Sequence, residues 1–75
     1  MPSCASFAPA AHLYYGIASL ENDDLAAAQR ELSRGLDLGG REYSVAHFYL
    51  GQMYLKKGER EPAIRELKAF LEASV

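Results

Sequence analysis

This chain of 75 residues has no tryptophan and a single cysteine, Cys4. A single cysteine cannot form an internal disulfide, so the fold is predicted to rest on packing alone and to need no oxidising compartment. No His or acidic residue lies near Cys4 in the sequence. We therefore interpret Cys4 as an incidental thiol and not as a catalytic nucleophile.

Long apolar runs are also lacking. No stretch of about 18 apolar residues, the length that a membrane-spanning helix needs, occurs in the chain. The first residues carry neither the positively charged start nor the long apolar centre of a secretory signal. From these absences we expect a cytoplasmic protein and no membrane partner.

An excess of positive charge is missing too. Eight Lys and Arg face ten Asp and Glu, which gives a net charge of -2, and the longest basic stretch is Lys56-Lys57. Nucleic acid is therefore not an expected partner, because its backbone requires a concentrated positive patch. The balance of 49% apolar and 24% charged residues is typical of one small folded domain.

Apolar residues recur at steps of three and four along most of the chain, which predicts helices and no strands. Four such stripes are separated by residues that start or stop helices. Pro9 suits the first turn of a helix, and Gly58 suits a helix end. The remaining signals are the Asn-Asp-Asp run at 22–24, Gly39, Gly40 and Ser44, the last as a cap of the third helix. The predicted helices span about 9–21, 24–38, 44–57 and 60–73.

The chain also repeats itself. A shift of 35 residues places His12 on His47, Gly16 on Gly51 and Leu20 on Leu55. The same shift superimposes further pairs of like size, namely Leu13 on Phe48, Tyr14 on Tyr49, Ala28 on Ala63, Leu32 on Leu67 and Leu36 on Leu71. One unit of two helices used twice is the expected origin of this pattern.

The second copy resembles the tetratricopeptide repeat signature. It has His47, Leu50-Gly51, Tyr54, Ala63 and Leu67 at the spacings of that signature, with His and Leu replacing its Trp and Phe. The first copy has His12, Tyr15-Gly16, Ser19, Ala28 and Leu32 at the same spacings. The resemblance implies an all-α fold, an α-α superhelix of two helix-turn-helix repeats with four antiparallel helices. Repeat one would cover about 9–43 and repeat two about 44–75, after a flexible segment 1–8.

The resemblance further implies a concave groove lined by the first helix of each repeat. The groove positions are Ala10, Leu13, Ile17, Leu20, Glu21, Val45, Phe48, Gln52, Leu55 and Lys56. Because few of them are polar, we expect a protein-interaction module that binds an apolar or amphipathic peptide and not an acidic tail. The alternative is that these apolar residues pack against each other, with Phe7 folding over them.

The fourth helix carries a second apolar face, made of Ile64, Leu67, Phe70 and Leu71. In a stack of repeats this face would meet a third repeat, so we expect it to pair two copies as a homodimer. The alternative function is thus a self-assembling structural unit, or a part of a longer repeat array with no ligand of its own.

Metal and enzyme interpretations find little support in the sequence. His12 and His47 occupy equivalent places in the two copies, but zinc needs three or four ligands. We expect both histidines to be core residues in the position where the family has Trp. No nucleophile, paired carboxylates or phosphate loop is evident. The expectation is a protein that is not an enzyme and has no cofactor and no metal.

Overall fold

A computed structural model describes residues 8–73 as four α-helices and one 3₁₀ turn. The helices are α1 (Pro9–Glu21), α2 (Leu25–Gly39), α3 (Val45–Lys57) and α4 (Arg60–Ala73), and the turn Gly40–Tyr43 joins α2 to α3. This part of the chain contains no strand, so the predicted all-α fold is confirmed. Each helix begins and ends within one residue of its predicted bounds. Cys4, Phe7 and nearly all of the predicted segment 1–8 lie outside the described residues.

The helices form two hairpins, which we call repeat one (α1 and α2) and repeat two (α3 and α4). α1 packs along α2 and α3 packs along α4, while the repeats meet mainly through α2 and α3. α1 and α3 touch each other only slightly. The core lies at this joint between the repeats and consists of Leu20, Ala28, Leu32, Ala46, Leu50 and Met53.

Repeat two turns between its helices through a left-handed glycine. Gly58 has φ 83°, its N–H donates to the carbonyl of Leu55 at 3.0 Å, and the N–H of Glu59 donates to the carbonyl of Tyr54 at 2.9 Å. These two bonds satisfy carbonyls at the end of α3 that have no partner inside the helix. The residue type predicted the stop because glycine adopts positive φ without steric cost.

Repeat one makes the same turn without a glycine. Asp23 has φ 61° and donates its N–H to the carbonyl of Leu20 at 3.0 Å, while Asp24 donates to Ser19 at 2.8 Å. Each of these residues lies 35 positions before its counterpart in repeat two. The internal repeat is therefore a repeat of backbone hydrogen bonding as well as of residue types. Aspartate tolerates this conformation better than most residues, since its short polar side chain can bond locally.

Two of the predicted signals for a helix start act as expected and one does not. Pro9 begins α1, and Asp24 caps α2 by accepting the N–H of Ala27 at 3.3 Å. Ser44, predicted to cap α3, makes no side-chain cap bond. Its φ of -59° and ψ of -21° are helical, because the turn Gly40–Tyr43 runs directly into α3. A capping residue needs an extended backbone, so Ser44 cannot play that role.

Close approach of the two helices in each repeat depends on one glycine. A Cβ atom on Gly16 would lie 2.7 Å from Cγ of Leu32, and one on Gly51 would lie 2.8 Å from Cγ of Leu67. Both distances are shorter than real Cβ atoms show, so each glycine leaves room for a leucine of the opposite helix. The two contacts are equivalent under the 35-residue shift.

Candidate interaction faces

A mostly apolar stripe runs along α1 and α3 at six of the ten predicted groove positions. Leu13 and Ile17 on α1 are partly buried and pack against the core. On α3 the equivalent positions are Phe48, which is partly buried, and Gln52, which is exposed. Ala10 and Val45, both partly buried, continue the stripe toward the start of each helix. We call these six residues the α1–α3 face.

Leu20, placed in the groove by the sequence, is a core residue instead. It is only 5% exposed and belongs to the core cluster at the joint between the repeats. Its equivalent Leu55 is 52% exposed at the end of α3. Glu21 and Lys56, the other predicted groove residues at these helix ends, are exposed.

Two polar contacts cross the joint between the repeats. Lys56 donates from Nζ to Oδ1 of Asp23 at 2.8 Å, so its charge links repeat two to the turn of repeat one. Gln29 on α2 donates from Nε2 to the hydroxyl oxygen of Tyr54 on α3 at 3.3 Å. The Lys56–Asp23 pair is exposed, and exposed ion pairs contribute little to stability.

The predicted outer face of α4 divides into two parts. Ile64 and Leu71 are 49% and 62% exposed, as expected of an outer face. Leu67 instead lies over Gly51 and is partly buried. The ring of Phe70 lies 5.6 Å from that of Phe48, and so packs toward α3. Ring pairs at such separations attract each other beyond simple burial.

Histidine and glutamate form the same contact in both repeats. Nδ1 of His12 lies 2.7 Å from Oε1 of Glu31, and Nδ1 of His47 lies 2.7 Å from Oε1 of Glu66. An ionised carboxylate can only accept a hydrogen bond, so the imidazole Nδ1 carries the proton and donates. Each bond joins the first helix of a repeat to the second. The histidines, expected in the core, are instead partly buried, and each is half of a polar pair.

The charge of Glu31 is stabilised by this contact. Its hydrogen bond with His12 is the largest influence and lowers the pKa of Glu31 below the ordinary 4.5, while burial opposes that change. Arg30, whose Nε lies 3.4 Å from Oε2 of Glu31, acts in the same direction as His12. The carboxylate therefore stays ionised throughout the neutral range.

Sequence reasoning missed both His–Glu pairs, although a signal for them was present. The 35-residue shift that superimposes the two histidines also superimposes Glu31 on Glu66. A histidine and a glutamate that recur at equivalent positions in both copies indicate a contact between the two side chains. The exposed rings of Tyr14 and Tyr15, 70% and 63% accessible, were also missed.

Other sites are not evident in the described part of the chain. Residues 8–73 hold no group of three or more His, Cys, Asp or Glu side chains placed to bind a metal ion. None of the four helices is both long enough and apolar enough to cross a bilayer. Comparison with protein-family models, with curated proteins and with solved structures finds no match for the chain.

Proposed function

We propose that this chain is a protein-interaction module, built from two tetratricopeptide-like repeats, that binds an apolar or amphipathic segment along the α1–α3 face. The observation that carries the proposal is the slight contact between α1 and α3. Since repeat two packs mainly on α2, the apolar side chains along the line between α1 and α3 keep part of their surface exposed. A bound segment would cover that surface, which is how amphipathic helices are commonly recognised.

The charges around this face favour an apolar ligand over an acidic tail. Among the six residues of the α1–α3 face none is charged, and Gln52 alone is polar. Lys56, the nearest cation expected in the groove, already pairs with Asp23. An acidic tail would thus find no cluster of donors to hold its carboxylates. A cytoplasmic location belongs to the same proposal and rests on the single cysteine.

Peptide titration of paired variants tests this function. Gln52→Leu should tighten binding of a neutral amphipathic helical peptide about fivefold, and Gln52→Glu should weaken it by a similar factor, because Gln52 is exposed within the face. Arg34→Leu, on the exposed surface of α2 away from both repeats' contact faces, is the matched control and should change nothing. Fluorescence anisotropy in low and high salt gives the affinities.

Two results would contradict the proposal. One is micromolar binding of an acidic peptide that disappears in high salt, since salt screens charge pairing and not apolar contact. The other is an affinity for the amphipathic peptide that neither Gln52 variant changes, because a ligand on the α1–α3 face must touch this residue.

Self-assembly is the second candidate function, and a specific observation favours it. Leu55, Ile64 and Leu71 are each about half exposed or more at the far side of repeat two. Large apolar residues grouped on one surface mark protein contacts more often than single scattered ones do. The same surface would also suit a further repeat in a longer array.

A further inference from the structure

The outer sides of the two repeats expose the positions whose equivalents are buried at the joint between them. We call the side of a repeat that faces the preceding repeat its front face, and the opposite side its back face. At the joint within the chain, the back face of repeat one meets the front face of repeat two. The core residues at this joint are Leu20, Ala28 and Leu32 from repeat one and Ala46, Leu50 and Met53 from repeat two.

The front face of repeat one is open. Leu50 in repeat two is 4% exposed, whereas Tyr15, its equivalent in repeat one, is 63% exposed. The remaining front-face positions of repeat one are exposed as well, namely Ala11, Tyr14 and Ala18. Their equivalents in repeat two are buried or partly buried against repeat one, namely Ala46, Tyr49 and Met53.

The back face of repeat two is open in the corresponding way. Leu20 is almost fully buried but its equivalent Leu55 is half exposed. Leu36 packs against the core, while its equivalent Leu71 is mostly exposed. Gln29, which bonds across the joint, is replaced in α4 by the exposed Ile64. Both open faces are therefore versions of surfaces that already fit each other inside the chain.

We propose that the chain binds a second copy of itself head to tail, with the front face of repeat one in one copy against the back face of repeat two in the other. The contact continues the joint already present between the two repeats. It goes beyond the peptide-binding function, because it uses residues outside the α1–α3 face. Since the two surfaces differ, the contact is heterologous and leaves one open face at each end, so association proceeds to longer chains.

The polar positions of the joint are compatible with this arrangement. Asp23 and Lys56 form the ion pair inside the chain, and their equivalents between copies are Gly58 and Glu21. A carboxylate then meets a glycine, so no like charges oppose each other at this point. The bond from Gln29 to Tyr54 has no equivalent, because Ile64 and Ser19 occupy those positions. The contact between copies thus keeps the apolar part of the joint and loses its two polar contacts.

The side-chain sizes are also compatible. Tyr15 is larger than Leu50, but Ala18, three residues later, is smaller than Met53. Positions three apart lie on the same side of a helix, so the larger ring has space beside the smaller methyl group. With fewer contacts than the internal joint and no covalent link, the association is expected to be weak, with a Kd on the order of 100 micromolar.

Sedimentation velocity of the full chain tests the proposal. Between about 10 and about 500 micromolar, a range suited to weak association, the weight-average sedimentation coefficient should rise steadily without reaching a dimer plateau. Tyr15→Glu removes the front face and Leu71→Glu removes the back face, and each variant alone should remain monomeric. Leu38→Glu, at a half-exposed leucine outside both faces, is the matched control and should associate like the unmodified chain.

Mixing the two variants is the decisive measurement. Each variant retains one intact face, so an equimolar mixture should form a one-to-one dimer and nothing larger. A two-fold dimer through α4 would give the opposite result, because Tyr15→Glu would still dimerise and the mixture would form no new species. Circular dichroism checks the folded state, and Ala18→Arg with Leu55→Arg replaces the pair if either variant unfolds.

Two outcomes overturn the head-to-tail contact. One is the two-fold pattern just described. The other is an unmodified chain that stays monomeric over the whole concentration range with its helices intact, which would assign the open faces to a different occupant. Neither outcome affects peptide binding on the α1–α3 face, since the Gln52 variants report on that function separately.

Discussion

Single residues in this protein act mainly by joining the two helices of a hairpin. The bond from His12 to Glu31 is the clearest case, because it recurs 35 residues later between His47 and Glu66. Glu31 is only 13% exposed, so the bond is shielded from competing water. Charge-assisted hydrogen bonds of this kind stabilise a fold more than neutral ones do.

Replacement of Glu31 tests the value of this bond. The folded pKa of Glu31 lies below its ordinary value of 4.5, so its ionised form contributes stability above that pH and loses it as the pH falls through the lowered folded pKa. Glu31→Gln should therefore cost about 1 to 2 kcal/mol at neutral pH and progressively less below pH 4.5. Urea unfolding across this pH range measures the difference.

Glu72→Gln is the control for that experiment, because Glu72 is exposed on α4. It should leave stability almost unchanged at every pH. A cost for Glu31→Gln that stays constant down to strongly acidic pH would show that the charge of Glu31 is unimportant and that only its packing matters.

Among the elements, the two hairpins share a design but differ in how firmly they are packed. In both, a leucine of the second helix lies against a glycine of the first. In repeat one that leucine, Leu32, is completely buried, whereas Leu67 in repeat two is partly exposed. A buried side chain has no space into which it can move, while an exposed one can change its rotamer.

Alanine substitution of the two glycines should expose this difference. Gly16→Ala should destabilise the chain by about 1 to 3 kcal/mol through overpacking against Leu32. Gly51→Ala should be close to neutral, because Leu67 can move aside and alanine favours a helix over glycine by about 1 kcal/mol. Thermal unfolding of both variants makes the comparison, and equal losses would contradict the packing difference between Leu32 and Leu67.

At the scale of the whole molecule, the described part of the chain is a thin slab, with extents of 41 by 30 by 14 Å over its Cα atoms. A thickness of 14 Å corresponds to two layers of helices, since packed helix axes lie about 8 to 10 Å apart. Within the described residues the largest side chains that are completely buried are Leu32 and Met53. Most of the stability therefore depends on one joint between the repeats, and the two ends contribute little.

Truncation of equivalent leucines should show this asymmetry. Leu20→Ala removes a side chain that is 5% exposed and should cost about 2 to 4 kcal/mol, a large share of the stability of a small domain. Leu55→Ala removes one that is 52% exposed and should cost less than about 0.5 kcal/mol. Both should be measured by urea unfolding at about 1 micromolar, well below the concentrations at which the chain is expected to associate. A similar cost for both would mean that Leu55 is covered in the monomer.

The helices and the repeat were determined by the sequence itself. Pro9, the aspartates at 23 and 24, and Gly58 act through the backbone of their own turns, so their effect depends on nearby residues alone. Apolar spacing at three and four residues is equally local. For that reason the helix bounds and the 35-residue repeat could be predicted closely. Ser44 does precede α3 as predicted, but it makes no side-chain cap bond because it follows an unpredicted 3₁₀ turn.

Burial and pairing were decided only by the tertiary structure. Leu20 and Leu55 are the same residue type at the same place in the repeat, and their burial differs because only Leu20 belongs to the core at the joint between the repeats. Phe70 was expected on the outer face of α4, but its ring packs toward that of Phe48 because α4 packs on α3. Contacts between helices depend on which surfaces meet, and the same residue type at equivalent places in two copies of a repeat cannot specify which copy has a neighbour.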